Sequence, residues 1–205
     1  IYACGDVAGP YQFTHAAAHQ ASVAALNALF GRLRRVRADY SAMPSVTFTE
    51  PEVARVGLNE TQARAQGVPY AATTYALEEL DRAIAEEAAH GFVKVLTVPG
   101  KDRILGATIV GESAGELIAE FALAMRANVG LNRILGTIHA YPTLAEANRH
   151  AAGAWRRAQV TRGQQAFLEA YQDWTRGAGG LGALGARALA MRGDRRPAYP
   201  SDAPS

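Results

Sequence analysis

Cysteine is nearly missing from this sequence: Cys4 is the single one in 205 residues. No intrachain disulfide framework is therefore open to it, and the usage fits a reducing compartment, so a cytoplasmic protein is expected. No stretch approaches the roughly 20 uninterrupted apolar residues that a spanning helix needs, so no membrane segment is expected in this chain. No basic region followed by an apolar run and a small-residue cleavage site opens the chain, which argues against a signal peptide. The net charge of +2 is too small to point to nucleic acid. There is no C-x₄-C pair and no G-x-G-x-x-G after a strand, so neither a redox dithiol nor a dinucleotide fingerprint is present.

What is present belongs to a soluble globular chain: 49% apolar and 20% charged residues. A chain of about 200 residues can bury roughly 70% of its unfolded surface, enough for a core without staples. The opening Ile1-Tyr2-Ala3-Cys4 reads as a short buried strand with nothing before it to pair against, and the first residue is not Met. A chain that begins mid-protein is the expectation, with Cys4 a small buried apolar residue of that strand. Charge is uneven. Residues 156–205 hold eight arginines against four acids, and Arg32–Arg37 is a basic run read as a solvated helix end or linker.

Periodicity predicts a helix over residues 14–31, with Ala16, Val23, Leu26 and Phe30 at helical spacing. A new unit opens near Met43-Pro44 with a β-branched strand over Ser45–Thr49. Asn59, Gln62 and Gly67 bracket a short helix as N-cap, box partner and left-handed stop. Tyr70–Leu77 reads as a strand and Arg82–His90 as a charged surface segment. Gly91–Val98 and Arg103–Val110 form a hairpin across Pro99-Gly100-Lys101-Asp102. Ser113 and Glu116 suggest a capping box for a helix lined by Leu117, Phe121 and Met125; Leu131–Ile138 follows as a short apolar stretch. Thr143 and Glu146 suggest a second box, for a helix running past Gly153, and Trp155–Arg176 reads as one amphipathic helix. Gly177–Ser205 has the composition of a disordered tail. The helix–hairpin–helix order between residues 59 and 152 specifies an α+β unit.

Two places could carry chemistry. Gly5-Asp6 sits at a strand end ahead of a glycine-bearing loop and a helix start. A carboxylate there can accept hydrogen bonds from sugar-like hydroxyls, while free N–H groups at the helix start face an electron-rich atom. A bland turn followed by a helix N-terminus would look the same. The second place is His139-x-Tyr141-Pro142-Thr143-x-x-Glu146, where His139 and Glu146 could act as a base and the carboxylate that orients it. The competing reading is helix-start punctuation, with Thr143 and Glu146 satisfying each other.

Three blocks carry a resemblance. "IYACGDVAGPYQFTHAAAHQA" at 1–21 resembles the end of the FAD domain in the pyridine nucleotide–disulfide oxidoreductases, the family of dihydrolipoamide dehydrogenase, glutathione reductase and mercuric reductase. "SVTFTEPEVARVGL" at 45–58 resembles the entry to that family's dimerisation domain, and "HAYPTLAEA" at 139–147 the motif of its last helix. The blocks follow family order and spacing over about residues 1–155. The resemblance implies an antiparallel sheet with helices packed on it, preceded by a strand–loop–helix remnant of an FAD-binding domain. It divides the chain into 1–42, the end of the FAD domain; 43–154, the dimerisation domain; and 155–205, a C-terminal helix and tail.

It further implies a partial FAD site, with Gly5 and Asp6 at the ribityl or phosphate end. Gln12, Phe13, Thr14 and His15 would stand where main-chain N–H groups face the flavin, His15 through its backbone. NAD(P)H would serve the parent protein, which would be a homodimer through residues 43–154. His139, Tyr141 and Glu146 would be the catalytic candidates, reaching across the dimer to the partner's dithiol. Tyr141 stands where the family places its base, and a phenol of ordinary pKa about 10 is a poor base near neutrality. The expected function is thus part of an FAD-dependent NAD(P)H oxidoreductase, a cell redox homeostasis role, with this chain alone neither holding FAD tightly nor turning over. A non-catalytic homodimerisation module derived from the family is the alternative. No pattern here selects an electron acceptor. The arginine-rich tail lacks interleaved aromatics, so no nucleic-acid partner is expected, and His19, His90 and His150 have no ligand-like companions, so no metal.

Overall fold

The structure is a computed structural model that describes residues 1–177 together with Gly182, Gly185 and Ala188. The expectation of a disordered tail falls almost wholly outside the described residues. Among the described residues five strands build one sheet: β1 (Pro44–Thr47), β2 (Glu52–Gly57), β3 (Ala71–Ala76), β4 (Phe92–Thr97) and β5 (Ile104–Gly111). The spatial order is β1-β2-β5-β4-β3, and every neighbouring pair is antiparallel. This is the α+β class that the order of elements predicted.

The hairpin β4–β5 lies at the centre, with Val95 opposite Ala107 and Val93 opposite Ile109, and Gly100 supplies a left-handed backbone (φ +70°) in the turn. Strand β2 escapes sequence patterning because Glu52-Val53-Ala54-Arg55-Val56 is rich in weak strand formers. It is fixed by pairing along its whole length with β5. At its end Gly57 takes φ +68°, and a Cβ there would run into the Leu105 carbonyl.

The described residues include seven α-helices: α1 (Thr14–Phe30), α2 (Glu60–Ala65), α3 (Asp81–Ala85), α4 (Ala114–Arg126), α5 (Leu131–Gly136), α6 (Glu146–Ala158) and α7 (Arg162–Thr175). Helix α4 lies against β5, β2 and β1, and α6 against β3, β4 and α5. Phe121, Ile118 and Leu117 of α4 enter a core shared with Val56, Val93, Val95 and Ile109 of the sheet. Helix α6 presents Ala147, Ala151, Ala152 and Trp155 at helical spacing, and its small residues let the backbone approach the sheet closely. The Asn59–Gln62 capping box forms in both directions, and Gly67 takes the left-handed stop at φ +64°.

Several local expectations are corrected. Residues 1–4 form no strand and are exposed, Cys4 among them, because no described strand lies beside them to pair with. Ser113 makes no cap bond; its own backbone is left-handed (φ 55°), and the carboxylate of Glu52 takes the Gly115 N–H instead, at 2.9 Å. The Thr143–Glu146 box forms by half. Glu146 Oε2 accepts from Thr143 N at 3.4 Å, but the Thr143 hydroxyl donates to Ala140 O, so α6 starts at Glu146. Residues 155–176 are not one helix: α6 ends at Ala158, and a reciprocal Thr161–Gln164 box starts α7. Leu131–Gly136 is helical, and the charged segment after Leu80 contains α3 with Ala83 fully buried.

Candidate functional site

The N-terminal candidates lie on a loop moored by a residue that sequence reading passed over. Gln20, buried on α1, accepts the Gly5 N–H through Oε1 at 2.6 Å and donates through Nε2 to the Tyr40 hydroxyl at 3.0 Å. One side chain thus ties the Gly5 turn to both the helix and the following linker. Gly5 takes φ +79°, and Asp6 opens a single exposed 3₁₀ turn ending at Ala8. The Asp6 carboxylate has no hydrogen-bond or ion-pair partner among the described residues.

Helix α1 begins without a side-chain cap. Phe13 is extended at the N-cap and its carbonyl accepts from Ala17, so the N–H groups of Thr14, His15 and Ala16 are left free at the helix end. The His15 imidazole is committed elsewhere: Nε2 lies 2.9 Å from Pro44 O, and the ring stacks on Phe13. Because a carbonyl only accepts, Nε2 carries the proton in that contact. An open groove of about 620 Å³ runs beside this segment, lined by Tyr11, Phe13, Tyr40, Arg55, Gln62 and Gln66 among others.

The second group of candidates lies on the turn between α5 and α6. His139 is nearly buried, with Nδ1 at 3.0 Å from Thr137 O and Nε2 at 3.0 Å from Glu120 Oε1. Both neighbours are acceptors, so only the doubly protonated ring donates to both. The other Glu120 oxygen accepts from Asn148 Nδ2 at 2.9 Å, and the same amide donates to Leu117 O at 3.0 Å. Glu120, not Glu146, is therefore the carboxylate that orients His139. Sequence spacing gave no hint of this, since Glu120 lies on α4, which the Asn148 amide of α6 joins through Leu117 O and Glu120 Oε2. Asn148 was visible as a polar residue inside the alanine face of α6. Among the described residues its Oδ1 has no partner, nor has the Trp155 indole N–H about two turns beyond.

Tyr141 points outward, and its hydroxyl donates to Asp81 Oδ2 at 3.0 Å. That hydrogen bond, then the Asp81 charge, then desolvation and the Glu146 charge hold the phenol above the ordinary tyrosine range. Glu146 is buried at the helix start beside Thr143. The structure thus brings His139, Tyr141 and Glu146 onto one turn without hydrogen bonds among them. No hydrogen bond joins this turn to the N-terminal candidates among the described residues. Exposed Ile138 and, on α4, Leu123 accompany Tyr141 as large apolar side chains left in solvent. Among the described residues no group of three or more His, Cys, Asp or Glu is placed to hold a metal ion, and no helix is long and apolar enough to cross a membrane.

Residues 43–152, the stretch from β1 to the middle of α6, match the profile of the pyridine nucleotide-disulphide oxidoreductase dimerisation domain. The chain belongs to that family. Relatives of the dimerisation-domain family include a dihydrolipoyl dehydrogenase of Chlamydia muridarum, 44% identical over 146 residues covering 71% of this chain and 31% of the relative. A dihydrolipoyl dehydrogenase of Staphylococcus aureus is 40% identical over 152 residues, covering 74% and 32%. Among solved structures, LpdA of Mycobacterium tuberculosis superposes with a TM-score of 0.68 at 29% identity, over 74% of this chain and 33% of its own. The flavoprotein disulfide reductase RclA of Escherichia coli gives 0.67 at 25% identity, over 73% and 34%. The chain thus spans about a third of the length of the relatives it matches. The family's antiparallel sheet and helices are those described above; α1 and α7 lie outside the matched residues.

Proposed function

We propose that this chain supplies the dimer interface and part of the FAD site of an FAD-dependent NAD(P)H oxidoreductase of the disulfide reductase family. The observation that carries the reading is the match of the dimerisation domain to residues 43–152, which coincide with the sheet and its helices α2 to α6. Residues 1–42 are read as the end of an FAD-binding domain, 43–154 as the dimerisation domain and 155–205 as a C-terminal extension. The uncovered Leu123, Ile138 and Tyr141 support a second copy of the chain as the occupant of that face.

The N-terminal segment fits FAD in its donor set. The free N–H groups of Thr14 and His15, with Gln12 and Phe13 beside them, suit the electron-rich edge of a flavin, and the unpartnered Asp6 carboxylate suits a hydroxyl-bearing chain. Gly5, held by Gln20, shapes the loop that carries Asp6. When bound, FAD supplies two-electron chemistry; these residues hold and orient it. In the motif turn, His139 and Glu146 are enclosed, so Tyr141 is the group offered across an interface.

Sedimentation of the 205-residue chain tests the reading. A dimer at micromolar concentration is expected, and a stable monomer sinks the interface assignment. Flavin absorbance of the purified chain is expected to be weak and substoichiometric. Tight stoichiometric FAD would contradict the assignment of only part of the site to these residues.

A further inference from the structure

The two edges of the sheet are finished differently. Strand β1 opens with Pro44, which has no backbone N–H, and His15 Nε2 donates to the Pro44 carbonyl at 2.9 Å. The opposite edge, β3, is bare among the described residues. Leu77 N donates to Gly91 O at 3.1 Å, which fixes the alternation of the β3–β4 ladder. Ala71, Thr73 and Tyr75 therefore turn their backbone groups toward β4, and Ala72, Thr74 and Ala76 turn theirs outward. No hydrogen bond reaches those outward groups among the described residues. All three residues are exposed, and β3 carries neither the proline nor the charge that blunts an edge. Lys94, opposite Thr74 on β4, is committed to Glu60 at 3.3 Å. The strand itself is well seated, since Tyr75 is buried and stacks on His150 of α6.

We propose that β3 is a second interaction surface, pairing antiparallel with β3 of another copy about a two-fold axis at Thr74. The contact is separate from the face that carries Leu123 and Ile138. In this register Thr74 faces the partner's Thr74 and Ala72 faces the partner's Ala76, each facing pair exchanging two backbone hydrogen bonds. The facing side chains are small and uncharged, and a Thr–Thr pair is favourable across strands. Charge completes the match at the strand ends. The exposed Arg64 donates to the Tyr70 hydroxyl at 3.0 Å, and its guanidinium has no acidic partner among the described residues. Glu78 is exposed just past the other end of β3 and makes no ion pair among the described residues. The same two-fold sets position 70 against the partner's Glu78, so Arg64 meets an unpaired carboxylate at both ends. A contact of so few residues is weak, because association costs much of what its bonds return. It therefore forms well above the micromolar range in which the α4 face is expected to dimerise the chain.

The test is amide hydrogen exchange of the full chain, followed residue by residue by NMR at micromolar and at near-millimolar concentration. The amides of Ala72, Thr74 and Ala76 are expected to slow at least about tenfold at the higher concentration, while Thr73 and Tyr75 are slow at both. Equal exchange at the two concentrations overturns the pairing. Outward amides already slow at micromolar concentration overturn it too, since the edge is then covered within the chain. T74P removes an outward donor and spares every bond to β4, so it should abolish the concentration dependence at Ala72 and Ala76. Slowing that survives T74P overturns the β3 contact. R64E and E78R should each weaken the effect and the double variant restore it; a double variant no better than the singles overturns the two-fold register. L123D separates this contact from the α4 face. The slowing is expected to persist in it, and its loss there would assign the protection to α4 and overturn the proposal.

Discussion

The carboxylate of Glu52 accepts a hydrogen bond from the backbone N–H of Gly115, so the first turn of α4 is capped from the neighbouring strand. The two residues are 63 positions apart, and the bond spans the edge of the sheet where α4 lies on β1 and β2. Ser113, the residue whose type suggests the cap, has no part in it.

Removing the Glu52 acceptor leaves a helix-start N–H without its partner. E52A is expected to cost about 1–2 kcal/mol, whereas S113A should fall within about 0.5 kcal/mol of wild type. Urea denaturation of both variants checks this. Equal effects would show that the cap belongs to Ser113 after all.

Phe121 is fully buried between α4 and the sheet. F121A is expected to destabilise the chain by about 3–5 kcal/mol through lost burial and a residual cavity. N148L leaves Glu120 and the Leu117 carbonyl without their shared donor and should cost about 1–3 kcal/mol, although it adds apolar volume. A stabilised N148L would mean that the orphaned Asn148 Oδ1 outweighs the two bonds its amide makes.

Two phenols set an alkaline limit. Tyr75 is raised above its ordinary value of 10.0, first by burial and then by the Glu79, Asp81 and Glu146 charges, and Tyr141 is raised mainly by Asp81. A raised folded-state value means that the native chain keeps protons which the unfolded chain releases above pH about 10. Stability from these groups is therefore full below that pH and lost as pH rises beyond it. Y75F should flatten the decline between pH about 9.5 and 11 in thermal melts. An identical decline in Y75F would assign the loss to other groups.

Ile138, next to the motif turn, is 96% exposed, and Leu123 on α4 is 69% exposed. I138D and L123D are expected to weaken self-association at least about tenfold, the equivalent of about 1.4 kcal/mol each, with the fold intact. Sedimentation with circular dichroism reads both properties. Unaltered association would move the interface to another face.

The sheet was legible wherever strand chemistry was local. The β4–β5 hairpin announces itself through Pro99-Gly100 between β-branched runs, and the Asn59–Gln62 box through residue type alone. Glu52-Val53-Ala54-Arg55 was not legible, because its strand character comes from β5 beside it. The same division holds at the site. His139 and Tyr141 stand out as candidates by their place in a motif, but their hydrogen-bond partners Glu120 and Asp81 arrive from α4 and α3. The Thr161–Gln164 box was legible and was overridden by the apolar periodicity running through it.

The linker between α1 and β1 is anchored at its far end by the ion pair between Asp39 and Arg126, while His15 holds Pro44 O. Arg126 closes α4, one turn beyond the uncovered Leu123. A ligand that grips the start of α1 and a protein that covers α4 therefore bear on one connected set of contacts. Any coupling carried through these contacts would be reciprocal: whatever firmness one lends the other is returned in equal measure. Two polar contacts, one of them made by the imidazole of a candidate site residue, tie the start of α1 to β1 and the linker to the end of α4.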